Sequence, residues 1–251
     1  MKRAAGLALA LALAAPGEAG AAVYDEFEVH GTDIEAPGEA GIDQHINYGL
    51  RGRSTPPPQG GPPTNQGVYI STEVAYGVRP WWESAVYVPF ALQGGRFDPV
   101  GLKLRNLFVA PPGAQQGVSF GMLVEFRYLT PQVSSGAFSG ELRPIVQWQA
   151  GAWTLVGTMG FSGVNGPQGN TVLAPSARAY RQVTPQLTLG LEYYGDLGPV
   201  LRPEPLKGQA HQVFVAAEWP LGRGMVNIGL GYGLTQASDR LVARLRFGFP
   251  F

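Results

Sequence analysis

The feature that most constrains this chain is a period-two alternation of apolar and polar residues that runs to its last residue. The chain ends in "RLVARLRFGFPF". Successive side chains of a β-strand point to opposite sides, so this stretch predicts a strand with one apolar and one cationic face. The cationic face carries Arg240, Arg244 and Arg246, and the apolar face carries Leu241, Ala243, Leu245, Phe247, Phe249 and Phe251.

The same alternation recurs in about twelve segments, each close to the 9–11 residues with which a tilted strand crosses a bilayer. The connectors alternate between long and short, starting with "RGRSTPPPQGGPPTNQ" and "VRP". Outer-membrane barrels have long extracellular loops and short periplasmic turns. The sequence therefore predicts an all-β fold, a transmembrane antiparallel up-and-down β-barrel of about 12 strands over residues 38–251. The predicted strands are 38–50, 67–77, 81–92, 99–109, 117–129, 139–149, 152–162, 171–181, 186–195, 209–219, 224–234 and 239–250.

Composition excludes several classes of function. The 251 residues are 45% hydrophobic and only 14% charged, which suits one barrel. The formal net charge of zero argues against a nucleic-acid partner. No cysteine is present, so disulfides and thiolate metal sites are excluded. Because no His/Cys metal spacing, phosphate-binding loop or EF-hand loop occurs either, we expect no metal and no cofactor.

The N-terminus has the pattern of a secretory signal peptide. Lys2 and Arg3 precede the apolar run "LALALALAA", and Ala19-Gly20-Ala21 forms a small-x-small cleavage site. A membrane anchor is the weaker alternative because the run is shorter than the roughly 20 residues of a spanning helix. Residues 1–21 are thus predicted to export the chain to the outer membrane of a Gram-negative cell. The acidic segment that follows, residues 22–37, is predicted to be a periplasmic tail or a plug in the lumen.

Strand parity divides the barrel residues into two faces. On 117–129, Phe120, Met122 and Phe126 alternate with Glu125 and Arg127. A Lys or Arg on the lipid face near the midplane costs about 2–4 kcal/mol, so charged residues are expected inside. They either line a pore or pair across strands, and parity does not separate the two. The predicted lumen-lining residues are Asp43, His45, Glu73, Glu83, Lys103, Arg105, Glu125, Arg127, Glu141, Arg143, Arg178, Glu192, Glu218, Arg244 and Arg246.

Aromatic residues predict where the barrel meets the membrane. All five tryptophans lie beside predicted short turns, which places them at the periplasmic rim, where an apolar ring with a wet N–H prefers to lie. They are Trp81, Trp82, Trp148, Trp153 and Trp219. The C-terminal strand ending in Phe251 resembles the signature that bacterial outer-membrane proteins present to the barrel-assembly machinery. The expected partners are therefore outer-membrane lipid and that machinery.

A second resemblance covers nearly the whole mature chain. The segments "GEAGIDQHINYGL", "TEVAYGVRPWWESAVYVPF" and "GLKLRNLF" resemble recurring elements of the barrels called the MetA-pathway of phenol degradation family. The "PWW" turn departs from the more polar turn of that pattern. The resemblance implies a channel or transporter-like barrel for small solutes of hydrophobic or aromatic character. It supplies no catalytic or ligand residues.

Three functions follow as hypotheses. The first is a narrow channel or transporter-like protein, because about twelve strands lie between filled eight-stranded barrels and porins with 16–18 strands. The second is a structural or surface-interaction barrel without transport. The third, a lipid hydrolase, needs a nucleophile and an oriented base; the chain has only His30, His45 and His211 and no G-x-S-x-G motif, so we expect no enzyme. For His45 the favoured interpretation is a lumen histidine with satisfied hydrogen bonds, and barrel closure would place Arg244 of the last strand within its reach.

Overall fold

The computed structural model describes residues 26–55, 62–111, 117–133, 137–164 and 171–251. The signal peptide predicted at residues 1–21 lies outside these ranges, as do residues 22–25 of the acidic segment. Among the described residues, no helix is long and apolar enough to cross a membrane.

Thirteen strands occur in the described part of the chain, and each predicted segment overlaps one of them. They are β1 Ala40–Arg51, β2 Val68–Arg79, β3 Trp82–Gln93, β4 Arg96–Pro99, β5 Gly101–Val109, β6 Val118–Leu129, β7 Phe138–Ala150, β8 Trp153–Val164, β9 Val172–Thr184, β10 Leu187–Asp196, β11 Ala210–Leu221, β12 Gly224–Gly233 and β13 Leu241–Pro250.

Pairing between the first and last strands closes the sheet. β1 runs antiparallel to β13, from Gly41 opposite Pro250 to Tyr48 opposite Ala243. Each barrel strand otherwise pairs with its neighbours in the chain, and β3 pairs with β5 across the short β4. The result is a closed antiparallel barrel of twelve strands plus one extra strand, which confirms the predicted fold class.

β4 is a correction to the sequence prediction, which assigned residues 93–98 to a loop. Gly94 and Gly95 have φ values of 57° and 78°. Two consecutive positive φ angles are what the tightest hairpin turns require, and glycine adopts them without steric cost. The turn therefore folds back at once, and Arg96–Pro99 pairs with the outer end of β3, from Gln93 to Phe90.

Gly101 begins β5 at a point of close backbone approach. Its φ is 151°, and a Cβ atom there would lie 1.8 Å from the carbonyl oxygen of Tyr128 on β6. No side chain fits that gap. The glycine lets the chain pass from β4, which pairs with the end of β3, to β5, which pairs with both β3 and β6.

The two faces of the barrel follow the predicted parity. Apolar side chains on the outside are about half exposed, as in Phe120 at 50% and Leu191 at 56%. The inside is less uniformly polar than the alternation suggested. Inward Leu107, Leu123 and Ile145 are each 2% exposed or less and belong to one apolar cluster in the barrel interior.

We predict that Gly101→Ala destabilises the barrel by about 1–3 kcal/mol, because the added methyl group meets the Tyr128 carbonyl at an unfavourable φ. The control is Gly157→Ala on β8, where no atom lies within 4 Å of the added carbon. Tryptophan fluorescence during urea unfolding in phospholipid vesicles measures both variants. Equal stabilities would contradict the steric assignment.

Candidate functional site

Charged side chains fill the inside of the barrel. The positions predicted as lumen-lining fall on the strand face opposite the exposed apolar residues, and each is buried or half-buried. The half-buried ones are Asp43, Arg127, Arg143, Arg178, Glu218 and Arg246. Those 6% exposed or less are His45, Glu73, Glu83, Lys103, Arg105, Glu125, Glu141, Glu192 and Arg244.

A first network joins β6 to β7. Arg127 donates to Glu125 on its own strand, and its Nη2 lies 3.0 Å from Glu141 Oε2. Arg143 Nε donates to the other oxygen of Glu141 at 2.5 Å. Arg143 Nη1 also donates to Thr158 and Ser176 at 3.0 Å each, so the network extends to β8 and β9. Because each carboxylate has a partner, the charges are tolerated inside a low-dielectric wall.

A second network centres on Arg244 of β13. Its two terminal nitrogens donate to the two oxygens of Glu192 at 2.5 and 2.8 Å. This two-point pairing is the strongest geometry open to an arginine and a carboxylate. The guanidinium also lies 5.2 Å from the Phe214 ring centre and donates to Asn227 Oδ1 at 2.7 Å. Glu192 is further bound by the hydroxyl groups of Tyr180 and Tyr194.

A third network joins β1, β2, β3 and β5. Arg105 donates to Glu73 and lies 2.9 Å from Glu83 Oε1. His45 Nε2 lies 3.2 Å from Glu73 Oε2. The expected contact of His45 with Arg244 is wrong, because the β1–β13 register places His45 opposite Arg246.

The N-terminal segment, defined as residues 26–37, lies against these networks through its polar groups. Glu26 binds Lys103 of β5, and Glu28 binds Arg246 of β13. The backbone N–H of Glu35 donates to Glu83 Oε2 at 2.7 Å. Wall side chains in turn bind the segment's backbone, since Arg244 Nη1 donates to the Phe27 carbonyl at 2.5 Å.

Two apolar side chains anchor the segment. Phe27 and Val29 are 4% and 2% exposed and belong to the interior apolar cluster. The Phe27 ring lies 5.2 Å from the Tyr194 ring and 4.9 Å from the Phe214 ring. Phe214 itself occupies space that Gly231 leaves open, since a Cβ there would lie 2.4 Å from the ring. Burying a phenylalanine contributes about 1.5–3 kcal/mol, so the segment is held by more than charge.

Burial and neighbouring charges set the ionisation of the segment. Burial alone would raise the pKa of Glu28, but the neighbouring Arg246 guanidinium holds that pKa well below its usual range. Burial lowers the pKa of His30 to about 4, which leaves its imidazole neutral at pH 7. Glu28 is therefore an anion where it meets Arg246.

Little space remains beside the segment. A cavity lined by Phe27, Glu28, Tyr180, Glu192 and Arg244, among others, has a volume of about 10 Å³. That is barely the room of one water molecule. With the segment in place, this part of the barrel is filled.

The loop end of the barrel is more open. A groove of about 710 Å³ lies between the strand ends and is lined in part by Arg53, Lys207 and Arg240. The guanidinium of Arg240 lies 4.4 Å from the Tyr232 ring centre.

The aromatic residues predicted at the membrane interface lie at the end with the short turns. Trp81, Trp148 and Trp153 are 47%, 44% and 45% exposed. Trp82 and Trp219 are half-buried, and the Trp82 ring stacks on Phe108 at 5.9 Å. At the C-terminus, Phe251 is 70% exposed while its N–H donates to the Ala40 carbonyl at 2.8 Å.

Several interior residues were not predicted from the sequence. Tyr69, Tyr194 and Phe214 are 0%, 7% and 0% exposed, and Asn227 is 4% exposed. Strand parity could have predicted that Tyr194 faces inward, because it lies two residues from the inward Glu192. The sequence analysis assigned the five tryptophans and Phe251 to the membrane interface and gave Tyr69, Tyr194 and Phe214 no role.

We predict that Arg244→Met destabilises the barrel by about 3–5 kcal/mol, because Glu192 is left as a buried charge without its cation. The double variant Arg244→Met with Glu192→Gln should recover part of that loss. Urea unfolding in vesicles measures both, with the exposed Arg223→Met as control. A double variant no more stable than Arg244→Met would contradict the pairing.

The comparisons with known proteins agree with the barrel fold. No protein-family model matches the chain, and no curated protein matches it in sequence. Among solved structures, an outer membrane channel from Pseudomonas putida F1 is 13% identical with a TM-score of 0.60, covering 89% of this chain and 100% of that one. The KdgM porin is 7% identical with a TM-score of 0.58, covering 84% and 99%. The translocator domain of the autotransporter NalP from Neisseria meningitidis is 12% identical with a TM-score of 0.53, covering 88% and 91%. At such identities the likeness is one of fold, and the resemblance to the MetA-pathway family stays a prediction.

Proposed function

We propose that this protein is a narrow outer-membrane channel for small solutes, closed in this conformation by its own N-terminal segment. The observation that carries the proposal is the burial of Phe27 and Val29 among inward side chains of nine barrel strands. A side chain buried there occupies the volume through which a solute would pass.

The size of the barrel supports a channel. Twelve strands enclose more space than the side-chain-filled barrels of eight strands and less than porins of 16–18 strands. Two barrels of similar fold are named as a channel and a porin. With the segment removed, the interior would present apolar and aromatic groups such as Phe214, Tyr194 and Leu123 beside charged ones. That surface suits the small hydrophobic or aromatic solutes that the MetA-pathway resemblance implies.

The segment is attached in a way that permits its release. Its bonds to the wall are made by side chains, single backbone groups and one bridge, from Pro37 to Gly77. It contributes no strand to the closed sheet. It joins β1 through Gly38, whose φ of 87° turns the chain from the wall into the interior. The segment can therefore leave without loss of the strand pairing that holds the barrel closed.

The negative charge of the segment also affects the ion preference of the barrel interior. The predicted lumen-lining residues comprise seven cationic and seven anionic side chains, with His45 taken as neutral. The segment adds the carboxylates of Glu26, Glu28, Asp33 and Glu35. Charged side chains along a pore set its ion preference. The segment therefore makes the interior anionic, and its loss leaves a neutral wall.

We predict that deleting residues 22–37 raises single-channel conductance several-fold and moves the reversal potential towards anions, because the carboxylates of Glu26, Glu28, Asp33 and Glu35 leave the lumen. Phe27→Asp should raise conductance in the full mature chain, since a carboxylate cannot remain in the apolar pocket beside Glu192. Planar bilayers under a salt gradient measure both quantities.

The matched control is Phe97→Asp on β4, where the ring is 59% exposed outside the interior. It should leave conductance unchanged. Folded barrels that stay silent with and without the segment would overturn the channel and favour a structural or surface-interaction barrel.

Outer-membrane location and assembly are part of the same proposal. The exposed C-terminal Phe251 and the rim tryptophans are the supporting features. We predict that deleting Phe251 strongly reduces the folded protein in the outer-membrane fraction of a Gram-negative host, while leaving refolding in detergent unchanged. Heat-dependent mobility on SDS gels measures the folded fraction in both cases. Equal loss in cells and in detergent would assign Phe251 a role in stability instead.

A further inference from the structure

We propose that Glu28, His45 and Glu73 form a binding site for one divalent transition-metal ion, with Zn²⁺ the ion of matching chemistry. The site would join the N-terminal segment, which supplies Glu28, to the barrel wall, where β1 supplies His45 and β2 supplies Glu73.

The three candidate ligand atoms face one another. His45 Nε2 lies 3.2 Å from Glu73 Oε2 and 3.9 Å from Glu28 Oε2, and all three atoms lie within 4.8 Å of one another. Tetrahedral zinc with Zn–N and Zn–O bonds of about 2.0–2.2 Å places its ligand atoms about 3.4 Å apart. The wall pair already has that spacing, and a small movement of Glu28 completes it.

One of these atoms lacks a hydrogen-bond partner. Glu28 Oε2 is buried and has no hydrogen-bond partner among the described residues. A buried carboxylate oxygen without a partner is costly, and ordinary proteins satisfy such atoms. A cation between Glu28 and His45 would satisfy it.

Arginines orient the two carboxylates from behind. Arg246 binds Glu28 through Oε1, and Arg105 binds Glu73 through Oε1. Each carboxylate therefore directs its Oε2 atom towards His45. Partners of this kind fix ligand geometry in metal sites, and their loss weakens metal affinity by about 10–100-fold.

The formal charge around the three candidate ligands is negative enough to balance a divalent cation. Glu28 and Glu73 belong to ion pairs that contain four carboxylates against two arginines, an excess of two negative charges. A bare cation between two arginines would otherwise be repelled. The carboxylates are Glu28, Asp43, Glu73 and Glu83, and the arginines are Arg105 and Arg246.

The donor set selects the class of ion. One imidazole nitrogen and two carboxylate oxygens suit Zn²⁺ and its transition-metal neighbours, whereas Mg²⁺ and Ca²⁺ prefer all-oxygen sites. Three protein ligands leave a fourth position to water. The sequence contains no short metal-binding spacing because residues 28, 45 and 73 meet only through strand pairing and entry of the segment.

The test is calorimetric titration of ZnCl₂ into the refolded, tag-free chain without its signal peptide. We expect one Zn²⁺ per chain, and binding that weakens from pH 7.5 to 5.5 because the imidazole must be deprotonated. His45→Gln and Glu28→Gln should each weaken binding at least about tenfold. Glu28 lies outside the barrel strands, so its variant keeps the fold even if His45→Gln does not.

His211→Gln and Glu39→Gln are the matched controls. His211 bonds Tyr193 and Gln209 at the loop end, and Glu39 is exposed, so both should leave zinc affinity unchanged. Absence of binding to the folded chain, or binding that Glu28→Gln leaves intact, would overturn the site. Calorimetry does not depend on conductance. A negative result for the metal site therefore leaves the channel proposal intact, and a negative result for the channel leaves the metal site intact.

Discussion

The structure depends on one constraint, which is that a closed sheet with a lipid-compatible outside must enclose its charges. Period-two alternation puts every second side chain inside, where water is limited and an unpaired charge is expensive. The barrel offsets this cost with networks of ion pairs and hydrogen bonds that cross several strands. Arg244 and Glu192 are the centre of one of them, and they lie on strands that are not adjacent. The interior is thus filled by several ion-pair networks and an apolar cluster rather than lined as an open tube.

The N-terminal segment fits this interior in two ways at once. Its carboxylates meet wall cations at Lys103 and Arg246, while Phe27 enters an apolar pocket beside Tyr194 and Phe214. A segment held by charge alone would respond chiefly to salt, and one held by apolar contact alone would be indifferent to it. The combination holds the segment in one position in the proposed closed state, although the segment contributes no strand to the barrel.

The proposed metal site extends this arrangement. Glu28 belongs to the segment, and His45 and Glu73 belong to the wall, so a bound ion would favour the conformation in which the segment lies inside. Ligand binding stabilises the state that holds the complete site. The channel and the metal site therefore bear on the same structural element, although they rest on different observations.

Much of this fold follows from the sequence alone, because alternation, strand length and connector parity are local properties. They predicted all twelve barrel strands and the inward face. They missed β4, since Gly94 and Gly95 look like loop residues until their positive φ angles are known. What tertiary structure alone decided is which inward residues meet. Closure register sets Arg246 opposite His45 instead of Arg244, and pairs across non-adjacent strands depend on barrel radius. Entry of Phe27 into the interior depends on a pocket that Tyr194, Phe214 and Gly231 build from three strands, and no local pattern in the chain encodes it.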